Sequence, residues 1–388
     1  MIKLALTKGI FYIGERNESS MAIAIVSTYP PNQCGIGEFA SYLRQGLIEL
    51  GEIHVPVIAV SDNYMTDYGD EVVHQIKSDN WSDYEKTLNY LNSDTINAVI
   101  IQHEFSIYGT IESNYINLFI QQIKKTVFIT FHTILTDSIY NLSSIANHCD
   151  KVIALSDYGR HLLVTTHNIP AEKAVVIPNG VPEYPIQTKE ELKEKFMISN
   201  KTTALTFGLL SPNKGIELVL HAIPKVIQRH PEFLYIILGT THPKELISQG
   251  ENYRNKLLNL VNQLKINNHV KFIPYYLSDR EIMDYLVAAD IYITPYYFLE
   301  QNSSATLTYA AYLGKTCIST PYYYAQELLS NGCGLLFPFN DILTLQNHLQ
   351  RVLANPNFRI SLGDAVKEKT KNYSWIKCAK KYLDLVNS

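Results

Sequence analysis

Short apolar segments recur along this chain and alternate with amphipathic ones, in the order that a parallel sheet requires. The apolar segments are predicted strands at 23–27, 55–60, 98–102, 127–131, 151–154 and 174–177, and again at 203–207, 234–238, 270–273, 291–294, 316–319 and 334–337. Helical patterns lie between them, for example at 157–165 and 216–229. Strands that are apolar throughout and alternate with helices are typical of doubly wound parallel sheets. The sequence therefore predicts an α/β fold.

A turn-forming segment separates the two sets of strands. Residues 178–185 include three prolines and a glycine, a density that ends regular elements. A chain of 388 residues is long enough for two domains. The carboxyl ends of two such sheets would face each other across a cleft, which is where α/β sheets bind ligands. We predict an N-terminal extension at 1–20, a first domain at 21–183, a second domain at 184–372, and a helix at 373–388 that joins the first domain.

Charge and composition exclude several classes of partner. A net charge of −4 gives no reason to expect nucleic acid. No apolar stretch reaches the ~18 residues of a membrane span, and the N-terminus lacks a signal-peptide pattern, so we expect a cytoplasmic protein. Association with a membrane would require a lipid acceptor, and no oligomeric state is indicated. Five cysteines without paired spacing suit reduced thiols, and no His/Cys cluster or Asp-x-Asp pair predicts a metal ion or cofactor.

Two glycine-containing segments each follow a predicted strand and precede a predicted helix. Gly35, Ile36 and Gly37 follow the strand 23–27 and come before a helix at 40–50. A glycine loop in this place turns backbone N–H groups towards an anion, although a tight strand-to-helix turn explains the same pattern. In the second segment, Gly208 permits close approach and the ammonium of Lys214 could meet a phosphate. A surface lysine before a helix is the alternative there.

Polar residues also follow strands at the predicted cleft. His103 and His132 each come directly after a strand, and Glu104 follows His103. Side chains in this position usually face the cleft between α/β domains. The alternatives are histidines that are hydrogen-bonded within their loops and a carboxylate that is simply exposed. We take His103 and Glu104 as acceptor-side candidates.

A third polar segment precedes a predicted helix at 304–313. One of Ser303 and Ser304 fits the N-cap of that helix, which would account for one serine. The small residues that follow, Ala305 and Thr306, leave room for a diphosphate over the helix start. The sequence therefore predicts a ligand contact here in addition to the cap.

The succession of these segments resembles glycosyltransferase family 4, whose members are retaining enzymes of the GT-B fold. In that fold two Rossmann-like domains surround an interdomain cleft. The resemblance extends from about residue 22 to residue 387. The segments that carry it are 34–37, 130–133, 175–181, 208–215, 288–291 with 294–295, and 314–320.

The resemblance implies transfer of a hexose from a nucleoside-diphosphate sugar to a hydroxyl of a sugar or glycoconjugate, with retained configuration and without a metal ion. The second domain would hold the donor and the first domain the acceptor. The catalytic residues implied are His132, Lys214 and Gln301. The donor and phosphate contacts implied are Gly35, Ile36, Gly37, Gly208, Lys214, Ser303, Ser304, Ala305, Thr306 and Tyr309.

The chain departs from the family pattern at three positions. Such proteins usually have an arginine where this chain has Leu209, and a Glu-x7-Glu pair where it has Gln301 and Tyr309. Loss of the arginine removes a bidentate grip on phosphate. Two alternatives therefore stand beside the transferase: a catalytically idle GT-B protein that binds sugar or serves as a partner subunit, and a GT-B phosphorylase or epimerase.

Overall fold

The computed structural model describes residues 22–32, 34–51, 54–105, 107–110, 113–137, 141–185 and 187–388. The predicted extension at 1–20 lies outside these ranges. None of the helices within them is long and apolar enough to cross a membrane.

The first half of the chain forms a parallel sheet of seven strands within the described ranges, in the order β3-β2-β1-β4-β5-β6-β7. Along β1, Ala22, Ala24 and Val26 pack into one core while Ile23 and Ile25 pack into another, so both faces of the sheet are covered. This explains why the strand is apolar at every position. The strands are β1 (Ala22–Ser27), β2 (Val57–Ser61), β3 (Val72–Lys77), β4 (Ile96–His103), β5 (Thr126–Phe131), β6 (Lys151–Ala154) and β7 (Ala174–Val176).

Helices connect these strands and cover the sheet. They are α1 (Gly35–Glu49), α2 (Trp81–Leu91), α3 (Tyr115–Gln121), α4 (Leu142–Asn147) and α5 (Asp157–Thr165). The expectation that Gly35 and Gly37 lie in a loop before a helix at 40–50 is wrong, because α1 already begins at Gly35. Glycine disfavours a helix interior, and both glycines lie in the first turn of α1, where the backbone N–H groups have no partners within the helix.

The second half of the chain forms a parallel sheet of six strands in the described part, in the order β10-β9-β8-β11-β12-β13. Its strands are likewise buried on both faces: Ile291 and Ile293 of one central strand enter one core, and Tyr292 enters the other. The strands are β8 (Thr202–Phe207), β9 (Phe233–Leu238), β10 (Val270–Ile273), β11 (Ile291–Thr294), β12 (Thr316–Ser319) and β13 (Leu335–Leu336). The predicted α/β class with two doubly wound sheets is confirmed.

The helices of the second half are α6 (Lys189–Lys195), α7 (Ile216–Val226), α8 (Pro243–Gln249), α9 (Asn252–Gln263), α10 (Asp279–Ala288), α11 (Ala305–Tyr312), α12 (Tyr323–Leu329), α13 (Ile342–Ala354), α14 (Pro356–Thr370) and α15 (Trp375–Val386). The last of them, α15, crosses back to the first sheet. Its Tyr382 hydroxyl lies 2.8 Å from the Thr130 hydroxyl of β5, and its apolar face shares a core with α1.

Trp375 joins the chain crossing at 178–185 to the first domain. Its ring stacks against Tyr42 at 5.7 Å and meets Phe39 edge-to-face at 4.6 Å between centroids. Its backbone N–H donates to the carbonyl of Val181 at 3.1 Å. A Cβ atom on Gly180 would lie 2.2 Å from the indole, so only glycine allows this approach.

We predict that Gly180→Ala lowers the free energy of unfolding by about 1–3 kcal/mol, since the indole must move out of a packed position. Urea denaturation followed by circular dichroism measures this. Gly35→Ala is the matched control: no described atom lies within 4 Å of the added methyl group, and alanine favours a helix, so stability should stay constant or rise by up to about 1 kcal/mol. Equal losses in the two variants would contradict the packing argument.

Candidate functional site

A cavity of about 250 Å³ lies between the two sheets, at the carboxyl ends of their central strands. We call it the interdomain cavity. Five predicted ligand contacts line it: Gly35 from the first half of the chain, and Gly208, Ala305, Thr306 and Tyr309 from the second. The other lining residues are Cys34, Glu38, Phe207, Leu209, Leu238, Gly239, Thr240, Pro243, Tyr276, Leu277, Asp279 and Ile282.

The start of α1 opens onto this cavity. Cys34 is the N-cap residue, and its side chain makes no capping hydrogen bond within the described structure. The first N–H groups of a helix have no partners within it, so they remain available to an anion. Gly35 is exposed with open space where a Cβ would stand, whereas a Cβ on Gly37 would lie 3.2 Å from the backbone of Tyr29. A side chain at position 37 would therefore crowd the backbone of Tyr29, while the packing around Gly35 gives no reason for glycine.

Two backbone loops form the opposite wall. Gly208 follows β8 with φ of +132°, and Gly239 follows β9 with φ of +126°, a conformation that favours glycine. A Cβ on Gly239 would stand 2.1 Å from the carbonyl oxygen of Gly208. The two loops thus pack backbone against backbone and leave a wall without side chains at these points. Gly239 is not among the predicted contacts, because a single glycine between a strand and a helix is a weak sequence signal.

Lys214 is not among the described residues that line the cavity, but it contacts the ring of Tyr296, which is hydrogen-bonded to a lining residue. Its ammonium nitrogen lies 4.0 Å from the ring centroid of Tyr296, a distance at which the ring's electrons attract a cation. The Tyr296 hydroxyl is 3.1 Å from the hydroxyl of Thr306, which lines the cavity in the first turn of α11. The ring of Tyr296 thus links the cation to the start of that helix.

The two predicted serines bond to protein groups. The Ser304 hydroxyl is the N-cap of α11 and accepts from the N–H of Leu307 at 3.3 Å. The Ser303 hydroxyl donates to the carbonyl of His132 in the first half of the chain at 3.2 Å. Gln301 donates through its side-chain amide to the carbonyl of Ser303 at 3.0 Å. These contacts shape the loop that leads into the helix.

The same loop binds the first domain at further points that sequence reasoning missed. Glu300 accepts from the Thr136 hydroxyl and, at 3.4 Å, from its backbone N–H. The carbonyl of Asn302 accepts from the buried Ser156 hydroxyl at 2.6 Å, and its side-chain amide donates to the carbonyl of Ile134. The bonded residues are about 150 positions apart in the sequence, so no local sequence pattern predicts this hydrogen-bonded bridge between the loop and the first domain.

His132 and His103 stand at the ends of neighbouring strands and are both neutral at ordinary pH. Burial lowers the pKa of His132 to about 3, with a further effect from His103, and burial lowers the pKa of His103 to about 4. The Nε2 atom of His132 is 2.9 Å from the side-chain oxygen of Gln102, and its ring meets Phe39 edge-to-face at 4.7 Å. The backbone N–H of His132 donates to the backbone carbonyl of His103 at 3.0 Å.

Glu104 bonds to its own loop and to the loop that follows the neighbouring strand β5. Its carboxylate accepts from the Thr133 hydroxyl at 2.7 Å and from the backbone N–H of Phe105 at 2.8 Å. Burial raises the pKa of Glu104, and the ammonium of Lys244 in the second half of the chain partly opposes this rise.

Two tyrosine–carboxylate pairs cross between the halves at the cavity edge. Tyr276 donates to Glu38 of α1, and Tyr42 of α1 donates to Asp279 of α10. The Tyr42 and Tyr184 hydroxyls lie 2.9 Å apart. Burial raises the pKa of both carboxyls. A 38/42 spacing places Glu38 and Tyr42 on one face of the helix, but the sequence does not reveal the partners on the other domain.

We predict that the stability gained by Glu38→Gln, relative to the wild type, grows as pH rises from about 4 to about 7. A carboxyl whose pKa is raised on folding binds more protons in the folded protein, so its contribution to the free energy of unfolding falls as pH rises. Urea denaturation at several pH values measures the difference. Glu49→Gln is the control, on the exposed last turn of the same helix. The same pH dependence in both variants would contradict the assignment.

Two family descriptions match the chain. Residues 34–183 match Glycosyltransferase Family 4, and residues 188–369 match Glycosyl transferases group 1. Among curated proteins, mannosylfructose-phosphate synthase of Agrobacterium fabrum is 26% identical over 37% of this chain and 32% of its own length. D-inositol 3-phosphate glycosyltransferase of Kineococcus radiotolerans is 22% identical over 61% of this chain and 56% of its own length. These alignments thus span between a third and little more than half of the relatives' sequences.

Solved structures share the whole architecture. HepE of Anabaena, crystallised in complex with UDP, superimposes with a TM-score of 0.74 and 15% identity, over 95% of this chain and 100% of its own. Sucrose-phosphate synthase of Thermosynechococcus elongatus gives a TM-score of 0.70 and 16% identity, over 95% and 98%. Similarity at this level of identity establishes the fold, which is the GT-B fold. With the two family matches, it shows that the chain is a member of the family-4-like glycosyltransferases.

Proposed function

We propose that this protein transfers a hexose from a nucleoside-diphosphate sugar to a hydroxyl of a sugar or glycoconjugate, with retained anomeric configuration and without a metal ion. One observation carries the proposal: the uncapped start of α1, the glycine wall at 208 and 239, and the start of α11 all open onto the interdomain cavity. Relatives named as glycosyltransferases, and a structural neighbour crystallised in complex with UDP-glucose, support a nucleotide sugar as the donor.

The chemistry follows from where negative charge develops. As the glycosidic bond stretches, charge builds up on the departing diphosphate, and fixed donors aimed at it stabilise the transition state more than the ground state. The N–H groups at the start of α1 and of α11 are such donors, and the ammonium of Lys214 beside Tyr296 adds a full charge. The departing phosphate oxygen takes the acceptor's proton, so the reaction requires no protein nucleophile.

The groups that can stabilise the charge of the diphosphate in this cavity differ from those of the family pattern. Leu209 lines the cavity where an arginine is usual, and none of the described lining residues is Lys or Arg. Two carboxyls, Glu38 and Asp279, line it instead. Neutralisation of the diphosphate therefore falls on helix N-termini and on Lys214. Helix N-termini act at short range and within the first turn, so the diphosphate must lie close to Gly35 and Ala305.

The compartment we propose is the cytoplasm. The five cysteines of the chain are free thiols, and four of them are buried. Unpaired cysteines suit a reducing compartment.

A donor panel tests the proposal. UDP-, GDP- and ADP-sugars are added to the protein, and the correct donor should raise the thermal midpoint in proportion to the logarithm of its concentration above Kd. Release of the nucleotide is then measured with a panel of sugar acceptors. Transfer with retained configuration supports the proposal.

Three other outcomes contradict it. Formation of a sugar 1-phosphate would identify a phosphorylase, and interconversion of the donor without an acceptor would identify an epimerase. Donor binding without turnover, together with tight association with a second transferase, would favour the idle partner subunit, which the residues at Leu209, Gln301 and Tyr309 also suggest.

We predict that Lys214→Ala lowers kcat/KM for the true donor by tenfold or more, a loss of about 1.4 kcal/mol of transition-state stabilisation. Steady-state kinetics measure it. Lys225→Ala, on the exposed side of the helix that follows, removes the same charge away from the cavity and should leave kcat/KM unchanged. An unchanged kcat/KM for Lys214→Ala would remove this ammonium from the site.

A further inference from the structure

A single side chain from the neighbouring strand holds the ring of His132. Gln102 lies at the end of β4, is fully buried, and is paired in register with Thr130 of β5, two residues before the histidine. Its side-chain oxygen lies 2.9 Å from Nε2 of His132. The edge of Phe39 fixes the ring from another side, at 4.7 Å between centroids. Strand register and packing thus set both the position and the tilt of the imidazole.

This contact determines which nitrogen carries the proton. A neutral imidazole has one N–H donor and one acceptor nitrogen, and an amide oxygen can only accept. The Nε2 atom must then be the donor, and Nδ1 keeps the lone pair. We propose that Gln102 is a positioning residue that fixes His132 as the Nε2–H tautomer, so that the ring meets substrate by accepting a hydrogen bond from a hydroxyl through Nδ1. The role in substrate binding rests on the proposed function, whereas the tautomer does not.

The surroundings of the ring keep it neutral, as this arrangement requires. Burial holds the pKa of His132 at about 3. Its titratable neighbour on the sheet is His103, whose pKa is lowered as well. The nearby carboxylate, Glu104, bonds to Thr133 and Phe105. From the second half of the chain, the neutral hydroxyl of Ser303 reaches the backbone carbonyl of His132.

Packing alone does not explain a glutamine at position 102. Its side-chain nitrogen is buried and has no hydrogen-bond partner among the described residues. An unsatisfied buried donor costs free energy, and a leucine of similar size would fill the space without that cost. The hydrogen bond to His132 is therefore what a glutamine provides at this position and a leucine does not. Turning the amide over would make the nitrogen the donor and would move the ring proton to Nδ1, so the two orientations predict opposite tautomers.

Nitrogen-15 NMR of the full chain, labelled at histidine, distinguishes the tautomers directly. The His132 signals are assigned by their loss in His132→Gln. We expect the Nε2–H pattern in the wild type, unchanged between about pH 5 and pH 8 because the ring does not titrate there. In Gln102→Leu the ring should become a mixture of tautomers, and kcat/KM with the true donor should fall about tenfold or more. Gln75→Leu is the matched control. Gln75 lies in the edge strand β3, and the substitution removes an amide that is hydrogen-bonded to the backbone of Met65.

Gln102→Glu provides a pH readout that a purely structural role would not give. A carboxylate at this position still accepts from Nε2, but it stabilises the imidazolium and should raise the pKa of His132 by about 1–3 units. The ring should then gain a proton as pH falls, and kcat/KM should decline with it because Nδ1 can no longer accept. The wild type should show no such decline.

The possible outcomes test separately the role of Gln102 in setting the tautomer and the contact of His132 with substrate. An Nδ1–H ring in the wild type, or an unchanged tautomer in Gln102→Leu, overturns the role of Gln102. A tautomer shift in Gln102→Leu with unaltered kcat/KM overturns the substrate contact. If no donor is turned over at all, the proposed function fails, and the spectra still decide whether Gln102 sets the tautomer.

Discussion

The site depends on a hydrogen-bonded bridge that holds the carboxyl ends of the two sheets face to face. The loop before α11 makes it: Asn302 accepts from Ser156, and Ser303 donates to the carbonyl of His132. The Ser156–Asn302 bond is buried, where little water competes for either group. Because these bonds use the loop that leads directly into α11, the position of that helix start is set by the first domain as much as by its own. A displacement of one sheet would therefore change the cavity and the helix start together.

The electrostatics of the cavity follow from this arrangement. The described lining residues bring two partly buried carboxyls and no lysine or arginine, so an anion is attracted chiefly by backbone dipoles. The tyrosines that donate to Glu38 and Asp279 come from the opposite domain in each case. Each carboxylate thereby accepts a hydrogen bond from a protein donor of the other half of the chain.

The sequence predicted the parts of the structure that have a local cause. The predicted bounds of the central strand Ile291–Thr294 match the structure to the residue, because the strand is buried at every position and is mostly apolar. The edge strand Val72–Lys77 was missed, because an edge carries polar residues and reads as a loop. The predicted start of α1 is five residues too late, because a segment with two glycines favours a turn over a helix. Contacts such as Gln102 with His132 and Tyr276 with Glu38 join residues 30 and 238 positions apart, and nothing in the local pattern specifies them.

Gly35 and Gly37 show how the structure distinguishes between interpretations that the sequence leaves open. A side chain on Gly37 would crowd the backbone of Tyr29 at 3.2 Å, so close packing is sufficient to favour glycine there without a ligand. Gly35 faces the cavity, has an ordinary φ, and has no protein atom of the described ranges within 4 Å of the place where a methyl group would stand. Alanine would favour the helix there and would fit the folded protein. A residue that intrahelical propensity disfavours and packing does not require is best explained by something that approaches the backbone from the cavity, which is the position the proposal assigns to the diphosphate.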